Sequence, residues 1–347
     1  MTALAVLAPG LHTTVQDIGR FAAQHLGVPA SGALDSVNLR LANLLVENGE
    51  TGGALEMIAH GARFEVLGGS IRLALAGPQA RMELIENQRR KSVEPYESVT
   101  LNAGDKFQIH LGKASSVCYL AAEGGFAIPE VMGSQSTFVR GGLGGFQGRT
   151  LREGDQILVN SAEPAPRSER AILGVTFARP DTFRIILGPQ DDYFDEDMIA
   201  AFLSASFTVS HQSDRMGFRL SGFTLTHAIG FNIVSDGIAP GAIQVPGSGE
   251  PIILLADRQT TGGYPKIGVV ISADLPALGR LRPGDTVAFR TVDLEGARAA
   301  HRELQTWIER ARTSLRDVTA EPSVDVNALF EQNLIGGVVN AKTSPAD

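Results

Sequence analysis

The sequence predicts a mainly β protein with a few helices, its strands arranged as an antiparallel barrel or sandwich. Three observations carry this. Apolar runs are short and strand-like, about 4–8 residues, and many are β-branched. Glycine is abundant, 39 of 347 residues, and tends to fall between those runs. Helical periodicity marks only three segments.

The strand-like runs, in chain order, include "RFEVL", "SIRLALAG", "RMELI", "KFQIHL", "SVCYLAAEG" and "QILVN". They continue with "FRIILG", "FTVS", "PIILLA", "IGVVISA" and "TVAFRTV". The first predicted helix is "LDSVNLRLANLLVEN". Asp35 or Ser36 caps it, Val37, Leu41, Leu44 and Leu45 share a face, and Asn48-Gly49 stops it. A short second helix falls near "DEDMIAAFLSA". The third is "DLEGARAAHRELQTWIERARTSLRDV", where Leu294, Ala297, His301, Leu304, Ile308, Ala311 and Leu315 recur every three or four residues. Its other face is charged, so it packs on a domain or a partner. Beyond it the chain turns partly polar.

Leu-x-x-Gly-Asp occurs three times before a strand, at "LNAGDKFQI", "LREGDQILV" and "LRPGDTVAF". Glycine permits positive φ and aspartate bonds the turn backbone. The repeat reads either as three ordinary turns or as duplicated barrel-type modules. A Pro- and charge-rich stretch, "SAEPAPRSERAILG", suits a boundary. The resulting division is a β-rich subdomain over 1–165, a β-barrel subdomain over 166–292, and a helix and tail over 293–347.

Composition narrows the function. Charged residues are 20% and apolar ones 43%, with a net charge of −8. That acidic balance argues against a nucleic-acid or anionic-membrane binder. No stretch approaches the ~20 apolar residues of a membrane span. The start, "MTALAVLAPG", lacks the basic and apolar regions of a secretory signal. The single cysteine, Cys118, excludes an internal disulfide and reads as an inert core thiol. A cytoplasmic, reduced setting is expected. The seven histidines form no metal pattern, Glu56 and His60 being one weak pair, and no metal site is expected.

Four segments concentrate polar groups. "VRGGLGGFQGR", flanked by Arg140 and Arg149, is a structural loop or one that contacts a ligand. Near the start, Gln16, Asp17 and Arg20 occupy a predicted loop; Asp17 and Arg20 pair locally or line a cleft. Ser213, Asp214 and Arg215 sit at a turn before a strand. The fourth, "LLADRQTTGGYPKIGVVISAD", is the leading candidate. Its polar centre exceeds the about four residues that a connector between strands needs. Arg258 offers a planar fork for carboxylate or phosphate, and Lys266 a point charge. Gln259, Thr260 and Thr261 donate and accept, Gly262 and Gly263 expose backbone N–H groups, and Pro265 stiffens the exit.

These segments also carry a resemblance. "PGLHTTVQDIGR", "GVPASGALD", "ANLLVENG", "RGGLGGFQGRTLREGD", "DRMGFRL" and "PGAIQVPGSGEPIILLADRQTTGGYPKI" together resemble the biotin-dependent carboxyltransferase-like family. That family includes the C component of ATP-dependent 5-oxoprolinase, the allophanate hydrolase subunit 2 or urea carboxylase-related proteins, and antagonists of a sporulation-kinase inhibitor. The resemblance runs from about residue 5 to 290. It implies two cyclophilin-like β-barrel subdomains. It also implies partners: the B component of 5-oxoprolinase, which is cyclophilin-like and of kinase-inhibitor type, and its A component. The activity implied is opening of the lactam 5-oxoproline to glutamate with ATP hydrolysis, ATP and Mg being held by this chain or a partner. The alternatives are a biotin-dependent carboxyltransferase component acting on urea or a related amide, and a non-enzymatic protein that binds a kinase inhibitor. The chain has no Ala-Met-Lys-Met biotin-carrier segment, so biotin would come from another chain.

All of the enzymatic readings place donors around an amide-like carbonyl and the charge that develops on it. Arg258, Lys266, Thr260, Thr261 and Tyr264 are the expected catalytic groups. Gln259, Gly262, Gly263, Gln244, Arg215, Arg20 and Asp17 are the expected substrate- or phosphate-binding ones. Asp257 and Asp274 flank the loop, and neither is singled out as the base.

Overall fold

The computed structural model describes residues 1–86, 89–178 and 180–318. The expected tail beyond residue 318 lies outside the described residues. Every strand-like run quoted above forms a strand.

Two antiparallel sheets build the first body. One has six strands in the order Gln156–Leu158, Ala3–Ala8, Arg63–Leu67, Lys106–His110, Arg81–Glu86 and Arg89–Val93. The other has five: His12–Gln16, Ala54–Ile58, Val117–Ala122, Ile71–Ala76 and Ser98–Leu101. Strand alternation sends Leu4, Val6, Phe64, Val66, Phe107 and Ile109 from the first sheet into one core. Leu55, Met57, Leu73, Leu75, Cys118 and Leu120 meet them from the second. The opposite face of the five-stranded sheet is also covered. Ala74, Ala76, Tyr119 and Ala121 pack under helix α1, Ser36–Leu45. Two central strands are therefore buried on both faces, which is why "SIRLALAG" and "SVCYLAAEG" are continuously apolar.

Asp35 caps α1, its carboxylate accepting from the N–H groups of Val37 and Asn38 at 3.1 Å. The helix ends at Leu45, before the expected Asn48-Gly49 stop. Glu47 takes a left-handed conformation (φ 56°), and the Asn48 side chain donates to Asn43 Oδ1 and Ala122 O.

The second body is a closed barrel. Its strand order is Thr182–Leu187, Lys266–Val270, Ala242–Gln244, Ile252–Leu254, Gly217–Ser221, Phe207–Val209 and Thr286–Thr291. The ring closes where the last strand pairs in parallel with the first. Helix α2, Glu196–Ser204, plugs Phe202 into the barrel core, 5.0 Å from the Phe289 ring and 5.7 Å from Phe207. A short α3, Leu275–Gly279, follows the strand Lys266–Val270.

The Leu-x-x-Gly-Asp repeat is one turn used three times. Gly104, Gly154 and Gly284 have φ of 93°, 86° and 90°. Their N–H groups donate to Val66 O, Val6 O and Val209 O at 2.8–2.9 Å. Each aspartate accepts from the backbone N–H three residues back, at 2.7–2.8 Å. Two of these turns serve the six-stranded sheet and one serves the barrel.

The stretch 161–174 stays with the first body. Arg72 pins it, donating to Ala165 O and Arg167 O and pairing with Glu123 and Glu169. The strand Arg170–Ile172 then pairs with Leu315–Asp317, which follows helix α4, Leu294–Thr313. Of the expected stripe, Ile308 and Ala311 are buried against the α1 side of the first body, with Leu304 and Trp307 partly buried there. Leu294 is exposed and Leu315 lies in the strand beyond the helix. No helix among the described residues is long and apolar enough to cross a membrane.

Candidate functional site

The loop after Ile252–Leu254 is a hydrogen-bonded platform, not a simple turn. Thr261–Gly262 pairs with Asp236–Gly237 as a two-residue ladder. Ile238 N–H donates to Thr260 O at 3.0 Å, Ile233 N–H to Gly263 O at 2.9 Å, and Val245 N–H to Pro265 O at 2.9 Å. Ten residues are needed because the loop forms a sheet with the segment 233–238 before it re-enters the barrel.

One side of this platform gathers Gln244, Gln259, Tyr264 and Lys266. Gln259 Nε2 donates to Gln244 Oε1 at 3.2 Å, and Gln244 Nε2 reaches Tyr264 O at 3.5 Å. Gly262 leaves room for these side chains: a Cβ there would meet Gln244 Nε2 at 2.6 Å and Ile238 Cδ1 at 2.7 Å and displace them. Lys266 is buried, and its Nζ donates to Asp236 Oδ2 at 3.0 Å. Gln190 completes the group, accepting from Lys266 N–H at 3.2 Å and donating to Asp236 at 3.4 Å. The bonds from Lys266 and from Gly237 N–H hold the Asp236 carboxyl below its usual range. Tyr264 is exposed. Thr260 and Thr261 line an adjoining recess of about 590 Å³ with Gln24 and His25. Amide and ammonium donors thus lie together where Gln244 and Lys266 face one another across two strands, groups of the kind an amide carbonyl and its developing oxyanion require. Sequence reasoning missed Asp236 and Gln190. The "SDG" turn was the available signal for the first, and nothing local marked the second.

Arg258 lies apart from that group. It is buried, its Nε donating to Ile238 O at 3.0 Å and its Nη1 to Leu255 O at 3.2 Å. Desolvation draws its pKa down to about 10. It lines a cleft whose walls include neither Gln244 nor Lys266.

Arg215 is not an open fork for substrate. Its Nε and Nη2 pair with Asp257 at 2.9 and 3.2 Å, its Nη1 pairs with Glu56, and Nη2 also donates to Gly32 O at 2.7 Å. Glu56 in turn accepts from Tyr119 Oη at 2.6 Å and Leu34 N–H at 2.9 Å. This buried cluster joins the first body to the barrel and fixes Asp257, where the platform begins. Asp274 is held by Arg184, which donates to it from backbone N–H at 2.8 Å and from the guanidinium. Neither flanking aspartate is left free to act as a base.

Asp17 and Arg20 do not pair with one another. Asp17 accepts from Gly19 N–H and Ser134 Oγ at 2.7 Å, Ser136 Oγ at 2.5 Å and Gln135 N–H at 2.6 Å. Arg20 donates to Ser136 O and Val131 O. Both hold the segment 131–136, while Arg20 Nη1 is buried without a hydrogen-bond partner among the described residues. Gln16 donates to Thr137 O at 3.1 Å. The glycine-rich loop packs on that segment. A Cβ at Gly145 would lie 1.8 Å from Thr137 Oγ1, and one at Gly144 2.3 Å from Ser136 O. Its arginines are taken, Arg140 by Asp214 at 2.9 Å and Arg149 by Asp155 at 2.7 and 2.8 Å. The loop is thus anchored on 136–137 through Gly144 and Gly145.

Residues 26–291 match the family described as carboxyltransferase domain, subdomain A and B. The chain is 34% identical to the C component of Escherichia coli 5-oxoprolinase over 308 residues, 88% of this chain and 97% of that protein. It is 32% identical to urea amidolyase of Lachancea kluyveri, over 88% of this chain and 18% of that protein. The crystal structure of Kluyveromyces lactis urea carboxylase superposes with a TM-score of 0.81 at 29% identity, covering 91% of this chain and 30% of that one. With its platform loop, paired bodies and closed barrel, the chain belongs to the carboxyltransferase domain family of subdomains A and B.

Proposed function

We propose that this chain is the C component of a multi-chain 5-oxoprolinase, contributing the carbonyl-facing donors for ATP-dependent opening of 5-oxoproline to glutamate. The observation that carries this reading is the extent of the likeness: it spans 97% of a 5-oxoprolinase C component and 18% of a urea amidolyase. The platform supports it chemically. A lactam resists attack because its nitrogen donates into the carbonyl. Donors of the kind gathered at Gln244, Gln259, Tyr264 and Lys266 favour the charge that develops on the oxygen.

Partner chains are part of the proposal. Val234, on the segment that pairs with the platform, and Ile229 and Phe231, just before it, expose apolar side chains, and Tyr264 is exposed on the platform itself. This rim is where the B or A component would seat and close the site. In the glycine-rich loop Gly144 and Gly148 pack against backbone, Gly145 against Thr137, and both flanking arginines are paired, which does not favour a nucleotide phosphate there. The reading therefore places ATP and its Mg with a partner and routes no step through it here. The test is ADP release by this chain with its candidate A and B components. Release that rises with 5-oxoproline and needs all three chains is expected. No response from a well-formed complex would refute the reading. Carboxyl transfer from carboxybiotin to urea in place of it would establish the chemistry of the urea carboxylase relatives.

A further inference from the structure

A cleft of about 680 Å³ lies between the segment 18–40, the barrel turns at 238–241 and 255–258, α3 and α4. No Asp or Glu lines it. Its walls are largely apolar, with Leu34, Val37, Leu255, Leu275 and Leu304 among them. Yet polar donors point to an absent partner. Arg258 is 4% exposed and bonds only two backbone carbonyls, with no carboxylate among the described residues. Ser31 is 6% exposed, and its Oγ is buried without a hydrogen-bond partner among the described residues. Arg40 Nε is likewise buried and unpartnered, while its Nη1 donates to Gln305 at 3.2 Å. The backbone brings Ser31 and Arg258 to the same turn: Ser31 N–H donates to Ala256 O at 3.1 Å, two residues before Arg258.

A buried guanidinium without a counter-charge is costly, and so is a buried hydroxyl without a bond. Both costs are offset when an anion enters. A free inorganic ion would leave the apolar walls unused.

We propose that this cleft binds a small carboxylate with a short apolar body, its carboxylate on Arg258 and the Ser31 hydroxyl and its body against Leu34, Val37 and Leu255. The site is distinct from the Gln244–Lys266 rim and does not rest on the 5-oxoprolinase reading.

The test is calorimetric titration of the full chain with hexanoate, hexanol and inorganic phosphate at low salt. Saturable hexanoate binding is expected, with hexanol weaker by about tenfold or more for want of the charged hydrogen bonds. Phosphate should bind more weakly than hexanoate. Arg258→Gln should remove the preference for hexanoate over hexanol. Ser31→Gly provides a variant that folds, because Ser31 has φ 54° and glycine accepts that conformation freely. It should weaken hexanoate several-fold and leave hexanol unchanged. Equal binding of hexanoate and hexanol, phosphate binding as tightly as hexanoate, or hexanoate affinity untouched in Ser31→Gly would each overturn the proposal. ADP release by the assembled complex is a separate readout, so failure here leaves the oxoprolinase reading standing, and the reverse holds too.

Discussion

Replacing Arg215 by methionine should cost about 3–5 kcal/mol of stability, the range for removing one partner of a buried ion pair. Arg215 is buried between Glu56 and Asp257, themselves buried. Methionine fills part of the volume but leaves two carboxylates without their cation and Gly32 O without its donor. Glu56 keeps its bonds from Tyr119 and Leu34, so it stays in place and stays costly. The measurement is urea unfolding followed by fluorescence of Trp307, the single tryptophan, which packs 5.4 Å from the Phe177 ring. Adding Glu56→Gln should recover part of the loss. A cost below about 1 kcal/mol at neutral pH would refute the view that this cluster clamps the two bodies.

Four further outcomes follow from the same geometry. His12 carries a pKa lowered from 6.5, chiefly by burial and then by Arg215, and its Nδ1 is unpartnered among the described residues. Stability should hold above pH 6.5 and decline as the pH falls through the lowered value, and His12→Gln should flatten that decline. Cys118 is fully buried and its thiol pKa is pushed up, so iodoacetamide should label it only at the rate of global unfolding; fast native-state labelling would contradict the core assignment. Lys266→Met should shift the denaturation midpoint little, because Asp236 is half exposed, yet lower 5-oxoproline-dependent ADP release about 100-fold; unchanged release would remove Lys266 from the site. Gly262→Ala should fold, since its Cβ meets only the ends of flexible side chains, but should displace Gln244 and reduce turnover; full turnover would show that the Gln244–Gln259 pair has no catalytic part.

The fold was legible where burial imposes a period. Alternation and β-branching marked the strands, and three Leu-x-x-Gly-Asp turns announced a turn that the chain uses identically in sheet and barrel. The platform loop was legible too, because a ten-residue polar connector is more than two strands need. What the sequence left open was the direction each polar side chain takes. A loop has no fixed period, so Arg258 and Gln259 are neighbours in sequence, yet Arg258 lines a cleft while Gln259 bonds Gln244. Nor does sequence show which charges already have partners. By residue type alone Arg215 and Arg258 are equivalent forks for anions. Only tertiary contacts reveal that Glu56, 159 positions away, has taken the first, while the second meets no carboxylate among the described residues. The same contrast explains their different parts. A guanidinium with both charges matched holds two bodies together, and its loss is read in stability. One buried without a match holds free energy that only a ligand can release, and its loss should be read in binding.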